Sequence, residues 1–398
     1  MSMPRAVRHI NEVRALDALF RGGPMSRADL ARRLGLTRST ASSIVADLIE
    51  AGLVEEDDTE AAEREVVRTG RPGTDLRLNR HHAVFLGADI GVGHETAVAI
   101  GLDAAIVAED TVILDMKRLT PEAVVDDLAG LVRRTMARLP APEAVRGLSV
   151  VLPGLLTRDG RLMRAPILGW YDVPVLDMLR ERLPELPTIV AENDANAFAM
   201  AELYRGGEAA PREALYIFMD AGVGGGLVSG GRILRGGQGY AGEIGHIYAG
   251  EEGFANIATV PGSLESFVGR DAVLARHRFH GGAAVSFGDF LRAVEAGEPS
   301  ALSTVADWGR FLGRGLATLT SVLNPEVIVL GGPVASLFAY ARDQVDHSLR
   351  KHLLANHPLP EIALSALGIE GPAIGAALML HQSMFSIDEK LVFNRTQE

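Results

Sequence analysis

The sequence contains no cysteine. That absence excludes a disulfide framework, thiolate zinc and iron–sulfur centres, and a cysteine nucleophile together. Long apolar runs are lacking too. No stretch approaches the roughly 18 uncharged apolar residues that a membrane span requires. The N-terminal MSMPRAVRHI carries arginines with no apolar segment behind them, so no secretory signal is read and the expected location is the cytoplasm. What is present, 47% hydrophobic and 23% charged residues over 398 positions, excludes wholesale disorder and predicts two or three domains with more than one core.

Charge is unevenly placed. The net charge of −12 argues against a nucleic-acid partner until its distribution is read. Residues 1–46 hold eight arginines against three acids, residues 47–63 hold eight acids and no base, and residues 64–80 hold five arginines against two acids. Residues 1–80 therefore sum to zero, and the whole −12 belongs to residues 81–398. A locally basic head on an acidic body predicts a DNA-binding module fused to another unit. A solvated charged face is the plain alternative.

The head has the punctuation of a helix-turn-helix. Ile10, Val13, Leu16, Leu19 and Phe20 share a helical face over residues 9–20, and Gly22-Gly23-Pro24 ends it. Ser26 is placed to cap a short helix that stops at Gly35, and Thr37 to cap a third helix. In that third helix Ile44, Val45, Leu48 and Ile49 face inward, while Arg38, Ser39, Thr40, Ser42 and Ser43 make a polar leading end suited to phosphates and base edges. Gly70-Arg71-Pro72-Gly73 then reads as the basic turn of a wing, with Arg71 directed to a minor groove. A three-helix protein-interaction module is the alternative.

From His81 the pattern changes to strands. An apolar strand ending in Asp, then x-Gly-x-Gly, then a second apolar strand occurs at Asp89–Gly93 and again at Asp220–Gly224. A duplicated strand–turn–strand followed by helical segments predicts a duplicated α/β body with a cleft between its lobes.

At this point the chain resembles the ROK family (repressors, open reading frames and kinases), in its transcriptional-repressor branch with an N-terminal winged helix-turn-helix. The residues that carry the resemblance run in family order. They are Leu152-Pro153-Gly154, Ala165-Pro166-Ile167-Leu168-Gly169-Trp170, Glu192-Asn193-Asp194-Ala195-Asn196-Ala197, Gly239-Tyr240-Ala241-Gly242-Glu243-Ile244-Gly245-His246, Leu264-Glu265, and Asn324-Pro325-Glu326 leading into Val327–Gly332. The resemblance implies an α/β class fold: a winged helix-turn-helix plus a two-lobed, actin-like (ribonuclease H-like, duplicated) sugar-kinase-type body. The boundaries expected are 1–80 for the DNA-binding domain, 81–192 for the first lobe with a C-terminal helix 371–385 packing back on it, and 193–370 for the second lobe with the effector site and dimerisation surface. A short, poorly ordered tail is expected beyond Met384.

The resemblance also implies roles. Asp194 occupies the position of the family's catalytic base, here vestigial, and Gly154, Asn193, Asp194, Glu243, His246 and Glu265 match the sugar-contacting set. Pro153 and Trp170 are expected to line the same pocket. Two departures set the expectation of no enzyme activity and no metal or cofactor. Gly93 stands where the family's kinases have a threonine in the first turn, and Asp220-Ala221-Gly222 replaces Gly-Thr-Gly in the second. The family's zinc cysteines are replaced by Asn256, Ala258 and Ser263, leaving His246 alone. Asn256 and Ser263 remain to hold that loop by local hydrogen bonds. The function implied is a repressor of carbohydrate-metabolism genes, binding operator DNA as a homodimer or tetramer and modulated by a sugar or phosphosugar. An ATP-dependent sugar kinase with an accessory head, and a ligand-blind regulator whose body only dimerises, are the alternatives.

Overall fold

The computed structural model describes residues 3–57, 74–115, 119–157, 160–251, 253–254 and 260–385. The wing turn with Arg71, the replaced zinc positions Asn256 and Ala258, and the tail 386–398 lie outside them.

The head contains α1 (Met3–Gly22), β1 (Met25–Ser26), α2 (Arg27–Leu34), α3 (Arg38–Glu50), β2 (Val54–Asp57) and β3 (Asp75–Leu78). Its helix ends are set locally. Ser26 accepts from the Asp29 N–H to cap α2, Gly35 closes that helix at φ +66°, and Thr37 accepts from the Thr40 N–H to cap α3. Strand β3 pairs antiparallel with both β1 and β2. Leu16, Leu19, Leu30, Ile44, Val45 and Leu48 of the helices pack with Val54, Leu76 and Leu78 of this small sheet.

The body follows in two rounds. The first is β4 (Val84–Gly91), β5 (His94–Ile100), β6 (Ile106–Ile113), α4 (Pro121–Ala137), β7 (Val145–Leu152), β8 (Leu155–Leu156), β9 (Leu162–Ala165), β10 (Trp170–Val173), α5 (Val175–Arg182), β11 (Ile189–Asn193) and α6 (Asp194–Gly206). The second is β12 (Ala214–Met219), β13 (Val223–Ser229), β14 (Arg232–Ile233), α7 (Glu265–Val268), α8 (Arg270–Phe279), α9 (Phe287–Glu295), α10 (Pro299–Leu323), β15 (Val327–Gly331), α11 (Phe338–His352), β16 (Glu361–Leu364) and α12 (Gly371–Phe385). The first sheet is ordered β11-β7-β4-β5-β6 and the second β16-β15-β12-β13-β14. In each, the first strand pairs antiparallel with its successor and parallel with the strand that returns through a helix. The repeat seen in the two glycine turns is thus a repeat of whole sheets.

Helices α6 and α12 sit back to back between the sheets. α12 lies on the first sheet, where a Cβ on Gly87 of β4 would come 1.9 Å from the Ala373 carbonyl oxygen. α6 lies on the second, where a Cβ on Gly226 of β13 would come 2.3 Å from the Ala199 methyl. Between the helices, a Cβ on Gly375 would stand 1.7 Å from the Ala197 carbonyl oxygen. Glycine and alanine at these crossings let backbones approach where larger residues would separate the layers.

The head is docked on this pair. Phe20 of α1 packs against Tyr204 of α6 and against His381 and Phe385 of α12, with ring centroids 5.5, 5.0 and 5.3 Å away. The His381 ring is buried, and its Nε2–H donates to the Leu102 carbonyl at 2.7 Å. Burial holds its pKa below the usual value, so it serves as a neutral aromatic filler. The apolar cores of the head and the body are continuous through this joint.

One buried acid makes a testable mark on stability. Glu95 of β5 is 1% exposed, and its Oε1 has no hydrogen-bond partner among the described residues. Burial, with the charges of Asp127 and Asp89 adding to it, pushes its pKa from 4.5 up to about 8. The folded state therefore keeps a proton that the unfolded chain loses, and this group's stabilising contribution is full below pH 4.5, erodes as pH rises and is gone above about 8. Glu95→Gln should flatten the fall in unfolding midpoint between pH 5 and 9, with its largest gain at the alkaline end. Parallel melting profiles for the two chains would show that Glu95 does not carry this proton.

Candidate functional site

A cleft of about 840 Å³, counting its open mouth, lies where the two β-hairpins point their turns towards each other. Strand β11 runs directly into α6, so the residues at that junction are aimed into the cleft by a strand end and a helix start at once. Asn193 caps α6. Its Oδ1 accepts from the N–H groups of Ala195 and Asn196 at 3.0 and 3.2 Å, and its Nδ2 points to the Gly154 carbonyl at 3.4 Å. Asp194 follows, with Oδ1 accepting from the Ala195 N–H at 2.8 Å. Burial first, then the negative charge of Asp89, with Glu243 and Asp220 adding, pushes its pKa up to about 7. Near neutral pH this carboxyl can either accept from or donate to a hydroxyl.

Gly154 contributes backbone, and only glycine fits there: φ is +117° and a Cβ would meet the Arg164 carbonyl oxygen at 2.4 Å. Glu265 opens α7, and its Oε2 accepts from the Val223 N–H at 3.0 Å. Glu243 and His246 stand on the outer wall, half-exposed, with Nε2 of His246 3.7 Å from the Glu243 carboxylate. Burial pushes the pKa values of both glutamates up. Gly154, Asn193, Asp194, Glu243, His246 and Glu265 all border this one cleft, as does Pro153. Trp170 does not. It is buried in the core of the first lobe beside Leu162 and Val173.

The hairpin turns carry charge pairs that sequence reasoning missed. Asp89 and His94, diagonal neighbours across the β4–β5 hairpin, form a buried pair at 3.0 Å. Burial opposes the imidazolium, but the hydrogen bond and charge of Asp89 raise the His94 pKa on balance. Asp220 in the β12–β13 turn is met by the Arg270 Nη1 at 2.8 Å, and its own carbonyl accepts from the Arg270 N–H at 2.9 Å. The carboxylate that stands where the family's kinases have the first glycine of this turn therefore has its own counter-ion. Gly93 has φ +98°, a backbone state that disfavours any side chain, threonine included. At the rim, Arg235 beyond β14 pairs with Glu192 of β11 at 2.8 Å and ties the two lobes together.

Ser263 takes part in its segment through its main chain, donating to the Val260 carbonyl at 3.1 Å and accepting from the Ser266 hydroxyl at 2.7 Å. Its Oγ is buried without a hydrogen-bond partner among the described residues, and main-chain bonds from Leu264 to Ile247 and from Ala249 to Gly262 also hold the segment.

In the head, Arg38, Ser39, Thr40, Ser42 and Ser43 are all exposed, whereas Ala41, Ile44, Val45 and Leu48 of the same helix are buried. The Thr37 hydroxyl lies 3.0 Å from that of Ser39 and 2.9 Å from that of Thr40, which orders the leading turn.

Comparison with known proteins identifies both units. Residues 85–383 match the ROK family and residues 8–65 match the MarR family. A xylose repressor of Bacillus spizizenii is 24% identical over 96% of this chain and 97% of its own length. A glucokinase of Halalkalibacterium halodurans is 32% identical over 61% of this chain and 78% of its own. Among solved structures, a ROK family transcriptional regulator described as a homologue of the Escherichia coli MLC protein superposes with a TM-score of 0.74 at 25% identity, covering 96% of this chain and 97% of that one. No helix among the described residues is long and apolar enough to cross a membrane.

Proposed function

The chain belongs to the ROK family, and we propose that it is a transcriptional repressor of carbohydrate-metabolism genes, acting in the cytoplasm and modulated by a sugar in the cleft. One observation carries the reading: a single helix, α6, begins in the cleft at Asp194 and carries Tyr204, in its last turn, beneath the head against Phe20. At about 1.5 Å per residue the two points are roughly 15 Å apart. A sugar that closes the lobes moves α6 as a body, because backbone contacts fix it on two sides, and the motion reaches the seat of α1. Such a ligand regulates only by its differential affinity for the two placements of the head.

In this reading Asn193 positions the start of α6, Asp194, Glu243, His246 and Glu265 exchange hydrogen bonds with sugar hydroxyls, and Gly154 closes the floor. The head presents Arg38, Ser39, Thr40, Ser42 and Ser43 to the major groove and Arg71 to the minor. A homodimer would place two heads on a palindromic operator with half-sites one or two helical turns apart. We read the body as non-catalytic, since Gly93 and the Asp220–Arg270 pair replace the phosphate-binding chemistry of the family's kinases.

The test is equilibrium binding to the DNA flanking the chain's own gene at fixed salt. Arg38→Ala should weaken specific binding by about 10- to 100-fold, as expected for loss of a bidentate base contact, and leave sugar affinity alone. Unchanged operator affinity would remove α3 as the reading helix. ATP-dependent phosphorylation of a sugar by the wild-type chain would favour the kinase alternative.

A further inference from the structure

We propose that the cleft takes an unphosphorylated sugar and rejects sugar phosphates, with Asp220 and Arg270 as the specificity-determining pair; this rests on the sugar-modulated reading above. Five carboxyl groups border the cleft: Asp89, Asp194, Asp220, Glu243 and Glu265. Against them stand His94 and His246 on its lining, with Arg270 reaching in behind Asp220. Each of these three side chains already faces a carboxylate. His94 is held by Asp89 at 3.0 Å, Arg270 by Asp220 at 2.8 Å, and His246 lies 3.7 Å from Glu243.

A main-chain donor of the second glycine turn is engaged as well. The Val223 N–H is taken by Glu265 at 3.0 Å. Glycine-rich turns bind phosphate through such amides, and here the chain's own Glu265 takes one of them. The cleft is thus rich in acceptors. A sugar hydroxyl brings the donor that a carboxylate needs, whereas a phosphate brings only further acceptors and negative charge. The side chains of Asp220 and Arg270 are 12% and 26% exposed, so their pairing is shielded enough to persist at ordinary salt.

The experiment is calorimetric titration of the full-length chain with xylose, glucose and mannose, with the phosphate ester of each, and with inorganic phosphate. At least one free sugar should bind, and its phosphate ester should bind at least 100-fold more weakly. Asp220→Asn should release Arg270 and raise affinity for the ester and for inorganic phosphate tenfold or more, and adding Arg270→Gln should remove that gain. An ester that binds the wild-type chain as tightly as its parent sugar would overturn the inference while leaving the sugar-modulated reading intact. A folded Asp220→Asn chain with no gain in phosphate affinity would overturn the role of the pair. If neither sugars nor esters bind, and neither alters DNA affinity, the sugar-modulated reading fails and the inference with it.

Discussion

Gly375→Ala, a change that ordinarily favours a helix, is expected to destabilise this protein. Alanine in a helix interior is worth about 1 kcal/mol over glycine, because glycine loses more backbone freedom on folding. At Gly375 the added methyl would stand 1.7 Å from the Ala197 carbonyl oxygen, a backbone atom that cannot rotate away. Relief requires α6 and α12 to separate, yet each is seated on glycine against its own sheet, through Gly226 and Gly87. Overpacking of this kind costs up to about 3 kcal/mol or more, so a net loss of about 2 kcal/mol is expected. Gly288→Ala in α9 is the control: the nearest atom to its Cβ is the far end of Arg292 at 3.8 Å, so the ordinary gain should appear. Denaturant unfolding of the two variants should give shifts of opposite sign. A Gly375→Ala chain as stable as wild type would mean that the lobes do not approach through this helix pair.

The same crossing shows why some of this fold was legible in the sequence and some was not. Features set by neighbours along the chain could be read. Ser26 and Thr37 cap the helices they precede, Gly35 closes α2, and the Asp-x-Gly-x-Gly turns announce two hairpins. Features set by residues distant in sequence could not. Arg270 lies fifty positions beyond Asp220, and nothing near either residue links them. Strand β5 is covered on both faces, so its alternation of polar and apolar residues carries no inside–outside signal, and His94 and Glu95 are both buried. Trp170 was expected in the pocket because its motif runs beside pocket residues, but β10 turns the ring into the core of the lobe. Helix α1 begins at Met3, ahead of the apolar pattern over 9–20 that predicted it, and Val7 and Arg8 in that extension are exposed, so they add nothing to an apolar face.

Phe20→Ala is expected to leave the head folded and able to bind DNA while abolishing its response to sugar. Within the head, Leu16, Leu19, Leu30, Ile44, Val45 and Leu48 still pack with Val54, Leu76 and Leu78, although the cluster they form continues into the body. What the substitution removes is the ring that fits among Tyr204, His381 and Phe385, where α6 and α12 end side by side. Phe20 is partly buried, so its truncation should cost less than the roughly 3–5 kcal/mol of a fully buried phenylalanine, but it removes the ring that seats α1. Sugar can then still close the cleft, but closure no longer distinguishes one placement of the head from another. Operator affinity without sugar should change by less than tenfold, and the effect of sugar on it should fall below twofold.

Linkage supplies a second readout for the same variant. If sugar alters DNA affinity by some factor, DNA must alter sugar affinity by the same factor. In Phe20→Ala, sugar affinity measured with and without operator DNA should therefore converge. His381→Phe, which keeps an aromatic filler and loses only the bond to Leu102, should preserve most of the coupling. An intact sugar response in Phe20→Ala would show that the signal bypasses α6 and travels instead through a change in subunit arrangement, and the joint would then be a packing contact alone.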